Sequence, residues 1–254
     1  MKLLVSLAFS LITFLSFSQT FTSTRDGDYT TGGIWVGGSA PSTTINSGVT
    51  VIIGHNVNMN SNIEVKGGVL IINSTGTFTG SKDLKIKDGG TFTADGLVTL
   101  KKLDVEDGGT SVTINDSIYA SGDVKLKGGA SLTLNSNSVF NKKMAVEDNS
   151  AFVANGTLLV EDEFKIKDNG NVTLNGDFRT NTKLKVEDNA AMVINANAYI
   201  AGDAEFKDNV DITVGPNSIV QITDELKNSD NSELTINGAM AAANGKENKI
   251  KIMV

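Results

Sequence analysis

Between residues 84 and 206 the chain repeats itself about every 20 residues, and each repeat inverts the sign of one charge. The apolar anchors Leu84, Leu103, Val124, Met144, Phe164, Leu184 and Ala204 are spaced by 19, 21, 20, 20, 20 and 20 residues. Three residues beyond them stand Lys87, Glu106, Lys127, Glu147, Lys167, Glu187 and Lys207. Helical repeats usually need more than about 30 residues per unit. A period of about 20 with β-branched alternation inside it predicts one coil of a β-solenoid. Equivalent residues of neighbouring coils then lie about 4.8 Å apart, the strand spacing of a sheet. A column of one charge at that spacing repels itself. Alternation makes it a ladder of opposite neighbours, each contact worth about 0.2–1 kcal/mol on an exposed face. It also opposes slippage by one coil, which would set Lys on Lys and Glu on Glu.

The inner logic of each coil is the same. After the anchor, inward and outward residues alternate, as in Leu84 and Ile86 or Phe164 and Ile166. Asp followed by Gly or Asn comes next (Asp88-Gly89, Asp148-Asn149, Asp188-Asn189), which is corner chemistry because these residues tolerate positive φ. A second strand supplies Phe92, Val112, Leu132, Phe152, Val172 and Met192. It ends in a column running through Asn115, Asn135, Asn155, Asn175 and Asn195, whose stacked amides can bond along the solenoid axis. A third, shorter strand is expected to carry Leu97, Ile118, Val139, Leu158, Phe178, Tyr199 and Ile219 into the core. The expected architecture is all-β: a right-handed parallel β-helix of roughly nine to ten coils, about 45 Å long by strand spacing.

The flanking segments read differently. Lys2, an apolar run over residues 3–17, and then Ser18 and Gln19 have the form of a secretory signal peptide, so residues 1–18 are expected to be removed. The run is shorter than the roughly 20 residues a membrane span needs, and no other stretch could span. Residues 19–44 lie outside the repeat, hold the only tryptophan, Trp35, and are placed to cap the open end of a solenoid over residues 45–254. Trp35 is expected in that cap or in the core. At the other end, Ile250, Ile252 and Val254 form one apolar row, which suggests packing on a second copy, a partner, or a truncated chain.

The stretch DGDYTTGGIWVGGSAPSTTINSGVTVIIGHNVNM resembles the opening of secreted bacterial surface proteins, in which a Trp, a Gly-rich turn and a Pro lead into β-helical coils. It also resembles the eight-glycine domain of extracellular proteins. The repeats beyond it look like the pectin-lyase-like class of right-handed parallel β-helices. The resemblance implies an extracellular, adhesin-like β-helix and no particular reaction, since fold does not fix function.

Composition excludes several classes. The net charge of −7, with only two arginines, argues against nucleic acid. With no cysteine there is no disulfide framework and no thiolate site. The only histidine, His55, sits in a turn where a surface or capping role fits better than catalysis. Carboxylates fall at ladder or corner positions, and no pair stands out for acid and base roles. The corner Asp column could concentrate charge for Ca²⁺, but Gly128 interrupts it and turn chemistry already explains it, so no cofactor is expected.

Two faces remain for binding. The first-strand face is a self-neutralising charged strip that could meet a charged glycan or mineral. The second-strand face bears Thr93, Thr113, Thr133, Thr173 and Thr213, a flat rank of the kind ice-binding solenoids use and of the kind β-propensity alone favours. The expected function is therefore a secreted, non-enzymatic, structural or adhesive cell-surface solenoid, with end-to-end self-assembly as one mode. Ice or polysaccharide binding is the alternative, and a polysaccharide-degrading enzyme stands behind both.

Overall fold

The computed structural model describes residues 18–246. The apolar leader run and the row Ile250, Ile252 and Val254 lie outside the described residues. Period-two alternation dominates the rest, and short parallel strands follow from it. One coil shows the plan: Val124–Lys127, Ser131–Leu134 and Ser138–Phe140 are its three strands, and Met144–Val146 begins the next. Each strand pairs in parallel with its equivalents one coil before and one coil after. The second strands build an 11-stranded sheet from Gln19–Thr22 to Glu233–Ile236. First and third strands build two more rows, which meet in the long strand Ile219–Asn228. The result is a three-sided parallel β-solenoid of about ten coils. No helix among the described residues is long and apolar enough to cross a membrane.

The register is the one the anchors imply. Leu84 pairs with Leu103, Leu103 with Val124, Val124 with Met144, Met144 with Phe164, Phe164 with Leu184, and Leu184 with Ala204. The third strand corrects the expectation. Its buried row is Val98, Ile118, Ser138, Leu158, Phe178, Ala198 and Val220. Val139 and Tyr199 point outward, and Leu97 and Ile219 are 39% and 52% exposed. Parallel pairing at a fixed coil length dictates which residue faces in, so a small Ser or Ala takes the inward place even beside a larger apolar neighbour.

Inward rows stack along the axis into one continuous core. Phe152, Phe164 and Phe178 meet edge-on or tilted, with centroids 6.1 and 5.4 Å apart. Each buried side chain of this size contributes about 1.5–3 kcal/mol relative to exposure. Residues 19–44 also join the solenoid: Gln19–Thr22 and Gly27–Asp28 pair with the next coil before two 3-10 turns follow. Trp35 is 2% exposed there, and its Nε1–H donates to the Tyr29 carbonyl at 2.9 Å. The Tyr29 ring packs between Trp35 and Phe78.

The corners explain their own composition. Asp148-Asn149, Asp168-Asn169, Asp188-Asn189 and Asp208-Asn209 all have φ between 52° and 62°. The residue after such a pair donates to the carbonyl of the residue before it, as Gly170 does to Lys167 at 2.9 Å. Two consecutive positive-φ residues closed by that bond make a mirror-image type I turn, the reason Asp, Asn and Gly occupy these sites.

Candidate functional site

The second-strand sheet presents two outward columns. One carries Thr22, Ile52, Ile71, Thr93, Thr113, Thr133, Val153, Thr173, Val193, Thr213 and Thr235, each paired with the next. The other runs from Thr20 and Thr50 through Val69, Thr91, Ser111, Ser131, Ala151, Asn171 and Ala191 to Asp211 and Glu233, in the same register. The residues of both columns are partly or fully exposed. The structure therefore brings Thr93, Thr113 and Thr133 side by side, with Val153 and Val193 interrupting the rank before Thr173 and Thr213. No ionisable side chain stands in these two columns until Asp211. Ten strand intervals make the face about 48 Å long.

One edge of this sheet is the Asn ladder. Asn115, Asn135, Asn155, Asn175 and Asn195 each donate an amide N–H to the preceding coil, with distances of 2.6, 2.6, 2.7, 2.8 and 2.9 Å. The first acceptor is the carboxylate of Asp95. An ionised carboxylate only accepts, so Asn115 must donate to it and present its own oxygen to Asn135. Asp95 thus orients the whole file, and aligned amides polarise one another.

The first-strand face holds the charges, but its contacts run mainly along diagonals. Lys127 reaches Glu106 straight across at 3.3 Å, and Lys207 reaches Glu187 at 3.5 Å. Lys85 instead reaches Glu106 and Lys125 reaches Glu147, both at 2.8 Å, from one coil earlier and two residues back. Lys87 similarly turns to Glu64 at 3.2 Å, and Lys167 to Asp168. A long Lys stem reaches either neighbour, so two lysine columns share one glutamate column.

Glu187 is the centre of this arrangement. Its carboxylate meets Lys165, Lys185 at 2.7 Å and Lys207, and the residue is only 6% exposed. Burial by itself would raise its pKa, yet hydrogen bonds and charge from Lys165 and Lys185 outweigh that and hold it at about 2. It also separates Lys165 from Lys185, which lie directly opposite each other in the sheet. The partial burial of Glu187 is not legible in the one-dimensional charge pattern.

Other expected chemistry is placed as follows. His55 Nδ1 lies 3.0 Å from the Ser23 hydroxyl, which accepts from the Gly54 N–H, so the histidine is part of the first turn's bonding. Among the described residues no group of three or more His, Asp or Glu side chains gathers as a metal site. The third-strand face carries a feature the sequence reading missed: Tyr119, Val139, Leu159, Arg179 and Tyr199 form an outward column. The Arg179 guanidinium lies 4.9 Å from the centroid of the Tyr199 ring. Counting a strict 20 residues from Ile118 gives the inward row Ser138, Leu158, Phe178 and Ala198 and leaves this column outward; following the bulkiest side chain hides it.

No family model matches the sequence, and neither the curated proteins nor the solved structures yield a match.

Proposed function

We propose that this chain is a secreted, non-enzymatic, structural or adhesive solenoid of the cell surface, and that it meets its partner through the second-strand face. The observation that supports this reading is the segregation of charge. The first-strand face bears paired lysines and carboxylates, whereas the second-strand columns bear none from Thr20 and Thr22 through Ala191 and Val193. Repetition alone does not require that division. A long, uncharged array of Thr, Val, Ser and Ala suits close contact with an extended surface, because no charge need be desolvated. The likeness to pectin-lyase-like surface β-helices belongs to the same proposal.

The test is retention of purified protein on flat surfaces, cellulose and ice among them, compared with the double variant Thr113→Lys, Thr133→Lys. Two ammonium groups at the centre of the face should reduce retention at least roughly tenfold, the equivalent of 1.4 kcal/mol. Unchanged retention would remove the face from the argument. The regular Thr spacing also supports ice binding as a second reading, and thermal hysteresis lost in the same variant separates it from general adhesion. Cleavage of acidic glycans by the purified protein would overturn the non-enzymatic part. Filaments one coil-stack wide in electron micrographs would add self-assembly; isolated rods would remove it.

A further inference from the structure

From Phe78 onward the 20-residue repeat of the third strand breaks once among the described residues, and a groove opens where it does. Leu158 pairs with Phe178 and Phe178 with Ala198 at a spacing of 20 residues, but Ala198 pairs with Val220 at 22. The extra residues fall in the turn around Pro216. That turn is firmly tied: the Ser218 hydroxyl donates to the Ile194 carbonyl at 3.0 Å, and its N–H to the Gly215 carbonyl at 3.1 Å. It delivers Ile219 to the surface at 52% exposure. The groove, of about 320 Å³, is lined by Asp177, Asn197, Tyr199, Ile219 and Gln221 over a floor of Phe178 and Ala198.

Its walls are held in place. Arg179 packs on the Tyr199 ring and donates from Nε to the Asn181 oxygen at 2.7 Å; the Asn181 amide in turn bonds Glu161. Among the other lining residues, Asp177 accepts from the Asn197 N–H and Asn197 from the Ile219 N–H, each at 3.2 Å. Those bonds leave Asp177 a second oxygen to accept with and Asn197 an amide nitrogen to donate with. Gln221 adds an exposed amide able to do both. Two apolar surfaces, Tyr199 and Ile219, therefore stand among a few polar groups of both senses.

We propose that this groove binds a neutral pyranose unit of a glycan. The C–H face of a sugar ring matches Tyr199 and Ile219, and its hydroxyls match Asp177, Asn197 and Gln221. Asp177 is the one charged residue of the lining, and its carboxylate repels an anionic sugar. The site lies on the third-strand face and does not rest on the adhesive reading of the second-strand face.

Saturation-transfer NMR of the full chain with cellotetraose, maltotetraose, mannotetraose and xylotetraose tests it, with melting curves reporting folding. At least one oligosaccharide should bind with Kd below about 5 mM. Ile219→Lys and Tyr199→Ala should each weaken that binding at least roughly tenfold. Tyr119→Ala, on the same face away from the groove, should leave it unchanged. Because Ile219 is exposed, its variant decides the question even where loss of Tyr199 impairs folding. Absence of transfer from all four sugars, equal binding by Ile219→Lys, or binding only of an oligouronate would overturn the proposal. Thr113→Lys, Thr133→Lys leaves this groove untouched, so the two proposals fail separately.

Discussion

Glu187 shows how far one side chain departs from the average of its column. The ladder assigns it two lysine neighbours along the axis, whereas the solenoid gives it Lys165, Lys185 and Lys207 in partial burial. Its carboxyl is depressed from 4.5 to about 2. A depressed carboxylate contributes stability that is fully present above its unfolded value and is lost as pH falls toward the folded one. The window is therefore pH 4.5 down to about 2. Glu187→Gln should cost roughly 1–2 kcal/mol at pH 7, the figure reduced for solvent screening and including the unmasked repulsion of Lys165 and Lys185. Urea unfolding at pH 7, 4 and 2 should show the variant closing the gap to the native chain as the acid window is crossed. A constant gap would mean that the lysines do not hold the carboxyl down.

At the scale of the coil, most of the architecture was legible because three independent columns keep the same count. Anchors, alternating charges and asparagines each mark the period, and pairing such as Val124 with Met144 obeys it. Corners were legible through backbone chemistry: only a few residue types tolerate φ of 52° to 62° at two successive positions. Asn169 has φ 60°. Asn169→Val should therefore lower stability by about 1–2 kcal/mol, and Asn169→Gly should be nearly neutral. Equal melting temperatures for the two variants would show that the corner relaxes. The third strand was misread because Val139 and Tyr199 are larger than the inward Ser138 and Ala198, and size was followed where phase decides. That misreading concealed the outward Tyr199 and with it the groove. The diagonal ion pairs were also beyond the sequence, because straight and diagonal neighbours differ by less than the reach of a lysine.

For the whole molecule, a solenoid behaves as a one-dimensional stack whose stability sums over neighbouring coils. Alternating charge adds a longer period of two coils to the structural period of one. Deleting residues 144–163 removes one coil and keeps every apolar row continuous, setting Val124 on Phe164 and Leu126 on Ile166. It also sets Lys127 on Lys167 and removes Glu147, the partner of Lys125. Deleting residues 144–183 removes two coils, sets Val124 on Leu184, places Lys127 on Glu187, and replaces the native Lys165–Lys185 neighbours beside Glu187 with Lys125–Lys185, so it adds no like-charge contact. Phe152, Phe164 and Phe178, which pack on one another, leave together in that deletion. Like charges directly opposite cost about 0.2–1 kcal/mol per contact, and salt screens them. Raising salt to about 0.5 M should therefore stabilise the one-coil deletion and should not stabilise the two-coil deletion. Thermal unfolding of both at low and high salt reads the difference directly. The same salt response in the two variants would mean that the alternation leaves coil stacking indifferent to parity, and that the apolar rows and the Asn file alone set the register.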